Sequence, residues 1–328
     1  VLFRSLAILQ SFLGVTRKGD PADYPDFESF YAGFRTELHK AIEGLHLEAD
    51  GFGRNPSPAP LISLLERDCI EKGRGYFDGG TTYRTYCPHA GGLPDTANSL
   101  LALRKLVYEE KRLTLPELVE ILRTDWEGYE ELRQEVRGWH LAYGNDDPVA
   151  DAMAKRVFTD FVDFVLEVPE REGVFRYPGI STFGREIEWR PQRGATADGH
   201  QAGDILATNL SPSPGTDLEG PTAVIKSHCS LDLSRLTNGT ALELKVDPAS
   251  LKGEAGLEAL VALMRAFCRL GGIFMHIDAV NLETLLDAQQ HPEHHTNLSV
   301  RISGWSARFI TLNENWQQMI IGRSQQSV

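Results

Sequence analysis

The chain of 328 residues carries 33 basic and 46 acidic side chains, which gives a net charge of −13 at pH 7. Nucleic acids and anionic membranes attract basic surfaces, so this balance argues against both as partners. Hydrophobic residues make up 41% of the chain, enough to build the core of one or two domains.

The chain opens on an apolar run, Val1 to Val15, with no initiator methionine. Arg4 and Gln10 interrupt this run, which is too short and too polar to span a membrane. It also lacks the basic start and the small-residue cleavage site of a secretory signal. We interpret it as the truncated edge of a larger domain. Without a signal, the scattered cysteines indicate the reducing cytoplasm.

The first part of the chain has the pattern of a mainly helical structure. Apolar residues recur on one helical face between Phe27 and Ala49. A second helix is predicted from Thr96 to Glu109. A third begins at Thr114, because threonine followed three residues later by glutamate is typical of a capping box. A long amphipathic helix is predicted from Pro148 to Val168, and the segment from Gly173 to Arg193 is predicted to be extended.

The second part begins near residue 195 with a segment rich in glycine and proline, residues 194–221, that we predict to be irregular. Strands and helices then alternate, which indicates an α/β fold. The predicted strands are Ala223 to Lys226, Ala241 to Val246, Ile273 to Val280 and Leu298 to Ile302. The predicted helices are Gly256 to Leu270, which ends at a pair of glycines, and Leu282 to Gln290.

Cysteine and histidine spacing gives little reason to expect a metal. The four cysteines form no Cys-x2-Cys pair, which argues against structural zinc and iron–sulfur clusters. His291, His294 and His295 could bind a metal together. Glu293 is their one acidic neighbour at a suitable spacing, so the sequence favours a solvated helix end, and we predict no metal site.

The most informative segment lies near the end of the chain, from Val300 to Phe309 (VRISGWSARF). Gly304 stands between a basic, β-branched run and an aromatic residue, and a glutamine-rich helix is predicted from Asn313 to Arg323. An isolated Ser-Gly-aromatic sequence is typical of a turn. The whole segment, however, resembles the glycyl radical loop of the glycyl radical enzymes, the family of pyruvate formate-lyase.

Six further segments resemble motifs of that family and stand in the family's order. Their positions are Gly79–Tyr83 (GGTTY), Tyr143–Asp147 (YGNDD), Gly194–His200 (GATADGH), Ser211–Asp217 (SPSPGTD), Gly220–Val224 (GPTAV) and Leu285–Glu293 (LLDAQQHPE). His200 replaces the family's arginine. From the residues themselves, Asp198 and Asp217 are expected to cap local backbone NH groups, and the glycines of GGTTY to permit close approach of the backbone.

The resemblance implies a role for Gly304 that only glycine can fill. A radical on the α-carbon is stabilised when that carbon flattens, and glycine has no side chain to hinder this. Gly304 would store the unpaired electron, placed there by an activating enzyme of the radical S-adenosylmethionine type, with no bound cofactor. Trp305 and Phe309 would pack around the loop, although core packing explains both equally well.

The family also has a reactive cysteine in a short Cys-x-Glu motif, and this chain offers one such match. Cys69, Ile70 and Glu71 fit the letters, but they belong to a run that resembles a different segment of the family. Cys69 also follows apolar residues at helical spacing, so we predict a packed core thiol. By the family's spacing, the reactive cysteine is expected ahead of residue 1.

The resemblance implies the later part of the family's α/β barrel, with many surrounding helices. Residues 1–194 would form the end of the barrel domain and residues 195–328 the glycine radical domain. The C-terminal region would move outward so that the activating enzyme reaches Gly304, and residues 194–221 would help to position it. A homodimer is expected from the family alone.

The substrate is expected to be small and anionic. Arg176 is a candidate to bind the substrate's carboxylate or sulfonate, because a guanidinium pairs with such anions as a planar fork. The alternative is that Arg176 is a surface arginine without this role. The same two alternatives apply to Arg190 and Arg193. The tryptophan after Gly304 favours a lyase of the arylacetate decarboxylase or sulfonate lyase branch, which would break a C–C, C–S, C–N or C–O bond. Two alternatives remain: a formate acetyltransferase, and a stand-alone glycyl radical subunit that repairs a damaged enzyme.

Overall fold

The computed structural model describes residues 2–16, 23–52, 59–168, 173–302 and 305–324. Its α-helices are α1 (Ser5–Leu13), α2 (Phe27–Phe52), α3 (Pro60–Leu65), α4 (Arg67–Lys72), α5 (Leu93–Leu103), α6 (Leu115–Arg123), α7 (Glu130–Arg137), α8 (Pro148–Leu166), α9 (Glu186–Trp189), α10 (Gly220–Cys229), α11 (Gly253–Arg269), α12 (Leu282–Gln290) and α13 (Glu314–Ser324). A π-helical segment, Arg104–Glu109, continues α5.

The strands are short. They are β1 (Leu2–Arg4), β2 (Arg84–Tyr86), β3 (His89–Gly91), β4 (Val174–Arg176), β5 (Gly179–Ile180), β6 (Leu242–Lys245), β7 (Met275–Asp278), β8 (Ser299–Ile302) and β9 (Trp305–Arg308). Single 3-10 turns lie at Tyr76–Asp78, Arg190–Gln192, Leu233–Arg235, Pro248–Leu251, Pro292–His295 and Phe309–Thr311.

Five of the strands form two parallel ladders. Two ladders, β1–β3–β5 and β6–β7, are joined by a parallel bridge between Ile180 and Thr240. Parallel neighbours need long crossover connections, and the helices between the strands supply them. The strand β5 can approach β3 because Gly179 has no side chain: a Cβ there would lie 2.4 Å from the ring of His89.

The main core is built by the helices of the first half. Apolar side chains of α2 form the predicted stripe, and four of them, Phe30, Phe34, Leu38 and Ile42, have no exposed surface. Burying each side chain of this size contributes about 1.5–3 kcal/mol, which explains why α2 lies along α1 and α8. Ala195 and Leu210, beyond the predicted domain boundary, also belong to this core; the division near residue 195 stays a prediction.

Several sequence predictions are confirmed by the local structure. The capping box at α6 is present, with the Thr114 backbone N–H donating to the Glu117 carboxylate at 2.7 Å. Residues 194–219 of the predicted irregular segment 194–221 have no helix or strand, whereas its last two residues, Gly220 and Pro221, begin α10. Helix α11 ends before Gly271, whose φ of +86° is the left-handed value that a helix C-terminus commonly uses. Cys69 is 3% exposed and packs in α4.

The predicted strand from Ala223 to Lys226 is wrong, because these residues lie inside helix α10. Gly220 and Pro221 begin the helix, since proline fits its first turn. Val224, Ile225 and His228 are buried on one side of it. A short apolar run with β-branched residues fits a strand and a buried helix alike, so its period could not separate the two.

Two further predictions need correction at their ends. The predicted helix from Thr96 begins earlier, at Leu93, after Gly92 in the left-handed conformation. The segment from Gly173 to Arg193, predicted as extended, holds only the short strands β4 and β5 before α9 begins at Glu186. Within the described ranges, no helix has the length and hydrophobicity needed to cross a membrane.

Candidate functional site

The segment that the sequence singled out lies in a β-hairpin. Strands β8 and β9 pair antiparallel, with Ile302 opposite Trp305 at one end. Ser303 and Gly304, between them, lie outside the described residues, so the radical role of Gly304 stays a prediction. Val300 and Ile302 point inward and are almost fully buried. Because side chains alternate along a strand, this buried face fixes the register of β8.

A small core of its own supports the hairpin. It contains side chains from α12, from β8, from the 3-10 turn that follows β9 and from α13: Leu285, Ala288, Val300, Ile302, Phe309, Met319, Ile320 and Ile321. Phe309 has no exposed surface, and Met319 of α13 is equally buried. The hairpin therefore stands on a packed platform made by the C-terminal helices.

The aromatic residue after Gly304 lies at the edge of this platform. Trp305 is 50% exposed, and its ring meets that of Trp316 edge to face, with centroids 6.2 Å apart. Trp316 in turn contacts Gly184, where a Cβ would lie 2.6 Å from the tryptophan ring. Gly184 has a φ of +74° and follows strand β5 by a few residues. The hairpin platform thus meets the carboxyl end of the central sheet.

The loop after β5 is held in an unusual backbone conformation. Phe183 and Asn209 both have positive φ, which costs about 1–3 kcal/mol at a residue other than glycine. The Asn209 side-chain oxygen accepts hydrogen bonds from the Ser181 hydroxyl at 2.8 Å and the Thr182 backbone at 3.1 Å. Ligands commonly bind at the carboxyl ends of parallel strands, and this loop lies at that end.

His89 packs against the loop that follows β5. Its ring packs edge to face on Phe183 at 4.9 Å and contacts the side-chain amide of Asn238. Burial lowers the pKa of His89 to about 4, so the imidazole is neutral at pH 7. A neutral ring in this position acts as a packing group beneath the loop.

A cavity of about 860 Å³ opens between the irregular segment 204–217, the strands β6 and β7, and helix α13. This volume is within the range of small-molecule sites. Its lining carries charged side chains of both signs, Arg137, Arg190, Asp204, Glu243 and Asp278, and also includes His200. A small polar molecule could find both donors and acceptors there.

The histidine that replaces the family's arginine is buried beside another arginine. His200 is 4% exposed, and Arg137 donates to its Nε2 at 2.9 Å. Arg137 also donates to the backbone oxygen of Pro214 at 3.0 Å. It passes over Gly199, where a Cβ would lie 2.7 Å from it. Helix α7 therefore supplies a guanidinium beside position 200.

The motifs around the cavity interlock through buried polar groups. The Asn145 amide oxygen accepts from the Leu218 backbone at 2.8 Å, and its amide nitrogen donates to the Thr216 carbonyl at 2.7 Å. Gly144 lies against Pro212, where a Cβ would come within 2.4 Å of the proline ring. The YGNDD turn thus holds the SPSPGTD segment. We infer that both motifs shape the cavity wall through these contacts.

One predicted local cap is wrong. Asp198 accepts a hydrogen bond from the hydroxyl of Ser99, on helix α5, at 2.8 Å, and is buried. The expectation of a bond to its own neighbouring backbone failed because burial placed the carboxylate against a distant helix. The expected close approach in GGTTY is confirmed at Gly80, where a Cβ would lie 2.4 Å from the Arg74 carbonyl oxygen.

The arginine that the sequence suggested for substrate binding lies elsewhere. Arg176 ends strand β4, which pairs with β2 in a separate two-stranded sheet, opposite Tyr86. It does not line the cavity described above, whereas Arg190 and Arg137 do. Sequence reasoning missed Arg137 because it belongs to no motif and lies 63 residues before His200, and only the turn glycine at 199 hints at a side chain passing close by.

Comparisons with known proteins agree with this architecture. Residues 12–189 match the family model described as pyruvate formate lyase-like, and residues 206–310 match that described as glycine radical. Trans-4-hydroxy-L-proline dehydratase of Clostridioides difficile is 32% identical over 94% of this chain and 39% of its own length. Isethionate sulfite-lyase of Nitratidesulfovibrio vulgaris is 30% identical over 93% of this chain and 38% of its own.

A solved structure shows the same fold. The glycerol-bound, B12-independent glycerol dehydratase from Clostridium butyricum superposes with a TM-score of 0.85 and 28% identity, over 98% of this chain and 42% of that one. The predicted fold, the later part of a glycyl radical enzyme barrel with surrounding helices, is thereby confirmed. This chain spans about two-fifths of the length of these relatives. It belongs to the pyruvate formate lyase-like family of glycyl radical enzymes.

Proposed function

We propose that this chain is the radical-storing part of a glycyl radical lyase, with Gly304 as the radical site. The observation that carries the proposal is the hairpin β8–β9. Its two strands bring Ile302 and Trp305 opposite each other on either side of residues 303 and 304, within the stretch that matches the glycine radical family model. Phe309 supports this hairpin from the buried core.

In the proposed reaction, an activating enzyme of the radical S-adenosylmethionine type removes one hydrogen atom from the Gly304 α-carbon. The glycyl radical then takes a hydrogen atom from a cysteine thiol, which restores the glycine and leaves a thiyl radical. The thiyl radical abstracts hydrogen from the substrate, and a bond breaks in the substrate radical. The protein's part is to hold the groups in place and to exclude water and oxygen.

The cysteine that receives the radical is not Cys69 in this proposal. Cys69 is buried in α4, and a Cβ at Gly80 would lie 2.7 Å from its Sγ. Cys69 thus packs against the backbone of the GGTTY segment and has little exposed surface. A second cysteine, Cys229, lies at the end of α10 and packs with residues of β6 and α11. Burial raises the pKa of its thiol to about 11.

We further propose elimination of a leaving group from a small polar substrate, with C–O or C–S cleavage. Two relatives are a dehydratase of a hydroxylated amino acid and a sulfite-lyase, which favours these bonds over decarboxylation. The mixed charges of the cavity suit a substrate with both an anionic and a hydroxyl group, and Arg137 and Arg190 are better placed there than Arg176. The homodimer and the cytoplasmic location stay predictions.

The test uses spin resonance. The chain is incubated anaerobically with a radical S-adenosylmethionine activating enzyme, and we expect a doublet from coupling to the one remaining α-hydrogen. Deuterated glycine incorporated into the protein should collapse this doublet, which identifies the residue type. Gly304→Ala should abolish the signal, while Gly322→Ala, in helix α13 with open space around it, should keep it. A doublet that survives Gly304→Ala would refute the assignment.

A further inference from the structure

Three histidines and one carboxylate meet where helix α12 ends. The Asp287 carboxylate accepts a hydrogen bond from His291 Nδ1 at 2.9 Å with one oxygen. Its other oxygen lies 2.6 Å from His295 Nε2. His291 follows Asp287 by one helical turn, and His295 comes from the 3-10 turn that comes next. One carboxylate is thus shared by two imidazoles from two different elements.

The third histidine completes the group. The ring of His294 stacks on that of His291, with centroids 5.6 Å apart and planes 22° from parallel. One ligand atom each from Asp287, His291 and His294 lies within 4.8 Å of the others. All three side chains reach solvent, with 46%, 50% and 67% of their surface exposed. The sequence had suggested Glu293 as the acidic partner, whereas the carboxylate at the centre is Asp287.

We propose that Asp287, His291 and His294 form a binding site for a divalent transition metal such as Zn²⁺, with His295 or water as the fourth ligand. Imidazole nitrogen and carboxylate oxygen are ordinary zinc ligands, with bonds of about 2.0–2.2 Å. Two ligands on a tetrahedral ion are then roughly 3.4 Å apart. Asp287 and His291 are 2.9 Å apart, and all three ligand atoms lie within 4.8 Å of one another, so rotations of the exposed side chains bring the atoms into place.

The cluster brings more groups together than a single ion pair needs. Pairing Asp287 needs one cationic partner, and an exposed pair of this kind contributes about 0–1 kcal/mol. Here His291 and His295 both point at the same carboxylate, and His294 is stacked alongside. Ligands one helical turn apart on the same face recur in helical zinc sites. Imidazole-rich sites of this type also bind Ni²⁺ and Cu²⁺.

A metal at this cluster would connect helix α12 to the segment that leads into strand β8. The buried side of α12 carries Leu285 and Ala288, which pack in the core beneath the hairpin. The Leu298 backbone N–H donates to the His295 carbonyl at 3.0 Å, directly before strand β8. A metal that joins Asp287 to the turn at 291–295 would hold the entry to β8 fixed against α12.

Titration calorimetry of the 328-residue chain with zinc chloride tests the site. We expect one binding event that weakens at least about tenfold in Asp287→Asn, His291→Gln and His294→Gln, because even indirect support of a metal is commonly worth that much. The matched control is His140→Gln. His140 is also exposed and lies 3.3 Å from Glu219, so it represents an ordinary surface histidine beside a carboxylate.

Two outcomes would overturn the proposal. One is zinc affinity in all three ligand variants equal to that of wild type; the other is an equal loss in the His140→Gln control. Circular dichroism shows whether each variant remains folded, which is expected because all the substituted side chains are exposed. Hydrogen exchange then tests the consequence: zinc should slow exchange of the Val300 and Ile302 amides in wild type and leave them unchanged in His291→Gln. Equal slowing in both would contradict the link to β8.

Discussion

The contact between Gly184 and Trp316 joins the carboxyl end of the central sheet to the hairpin platform, and replacing the glycine tests it directly. Gly184 has a φ of +74°, and an added Cβ would lie 2.6 Å from the Trp316 ring and 3.8 Å from Ile302. Gly184→Ala therefore introduces two separate costs, a strained backbone and a steric conflict.

The magnitude of each cost follows from the geometry. A left-handed φ at alanine costs about 1–2 kcal/mol relative to glycine. Inserting a methyl group into packed surroundings costs about 1–3 kcal/mol. Gly253 offers a matched control, because its φ is +73° and a Cβ there meets nothing within 4 Å. Gly253→Ala should carry the strain alone, so the difference between the two variants isolates the contact with Trp316.

Urea unfolding followed by tryptophan fluorescence is the assay, since Trp316 and Trp305 report on the platform itself. We expect Gly184→Ala to lose about 1–3 kcal/mol more than Gly253→Ala. Adding Trp316→Leu to Gly184→Ala should recover part of that difference, because a shorter side chain leaves space for the methyl group. The account of the contact between Gly184 and Trp316, here called the seam, would be refuted by one result. That result is an equal loss of unfolding free energy in Gly184→Ala and Gly253→Ala, with no effect of adding Trp316→Leu.

Three further outcomes are expected from unfolding experiments. Phe309→Ala should lower the free energy of unfolding by about 3–5 kcal/mol. Trp305→Ala should lower it by less than about half of that amount, because the Trp305 ring is half exposed. Similar losses in the two variants would argue against the packing of Phe309 in the hairpin platform. Burial lowers the pKa of His228 to about 4, below its unfolded value, so the stability it contributes above pH 6.5 is lost as pH falls towards 4. Wild type should lose up to about 3 kcal/mol more than His228→Gln between pH 7 and pH 4, and parallel profiles would contradict this. Burial raises the pKa of Asp151 to about 6, so the stability that its protonated form contributes is lost as pH rises through 6. Asp151→Asn should therefore be more stable than wild type, with the largest difference at pH 8. A stability gain at pH 4 alone would contradict this reasoning.

The sequence predicted the fold best where local signals and burial agree. Helix α2 has a stripe of apolar residues at helical spacing, and its core side chains are buried as expected. The capping residues Thr114 and Glu117 mark the start of α6 by a mechanism that needs no tertiary contact. Helix α10 was missed because Val224 and Ile225 favour a strand locally, and the packing of the helix against β6 and α11 decided otherwise.

The candidate site shows the same division between local and distant information. The hairpin segment could be found because its residues are contiguous in sequence. Arg137 could not, because its place beside His200 depends on how α7 lies against a loop more than sixty residues later. Asp287 is an intermediate case. It precedes His291 by four residues, and the predicted helix ends at Gln290, so extending the helical spacing by one residue places the two on one face.

The C-terminal platform has a further property that bears on the proposed activation. Its core is formed by residues between Leu285 and Ile321, which are close in sequence, so it can remain intact when its contacts with the rest of the chain open. Those contacts include the seam at Gly184 and Trp316 and the partly buried Ile187. We propose that activation of Gly304 uses this seam, which opens while the platform stays folded. Gly184→Ala should then speed hydrogen exchange at Trp316 more than at Leu285, because opening exposes the seam before it disrupts the core.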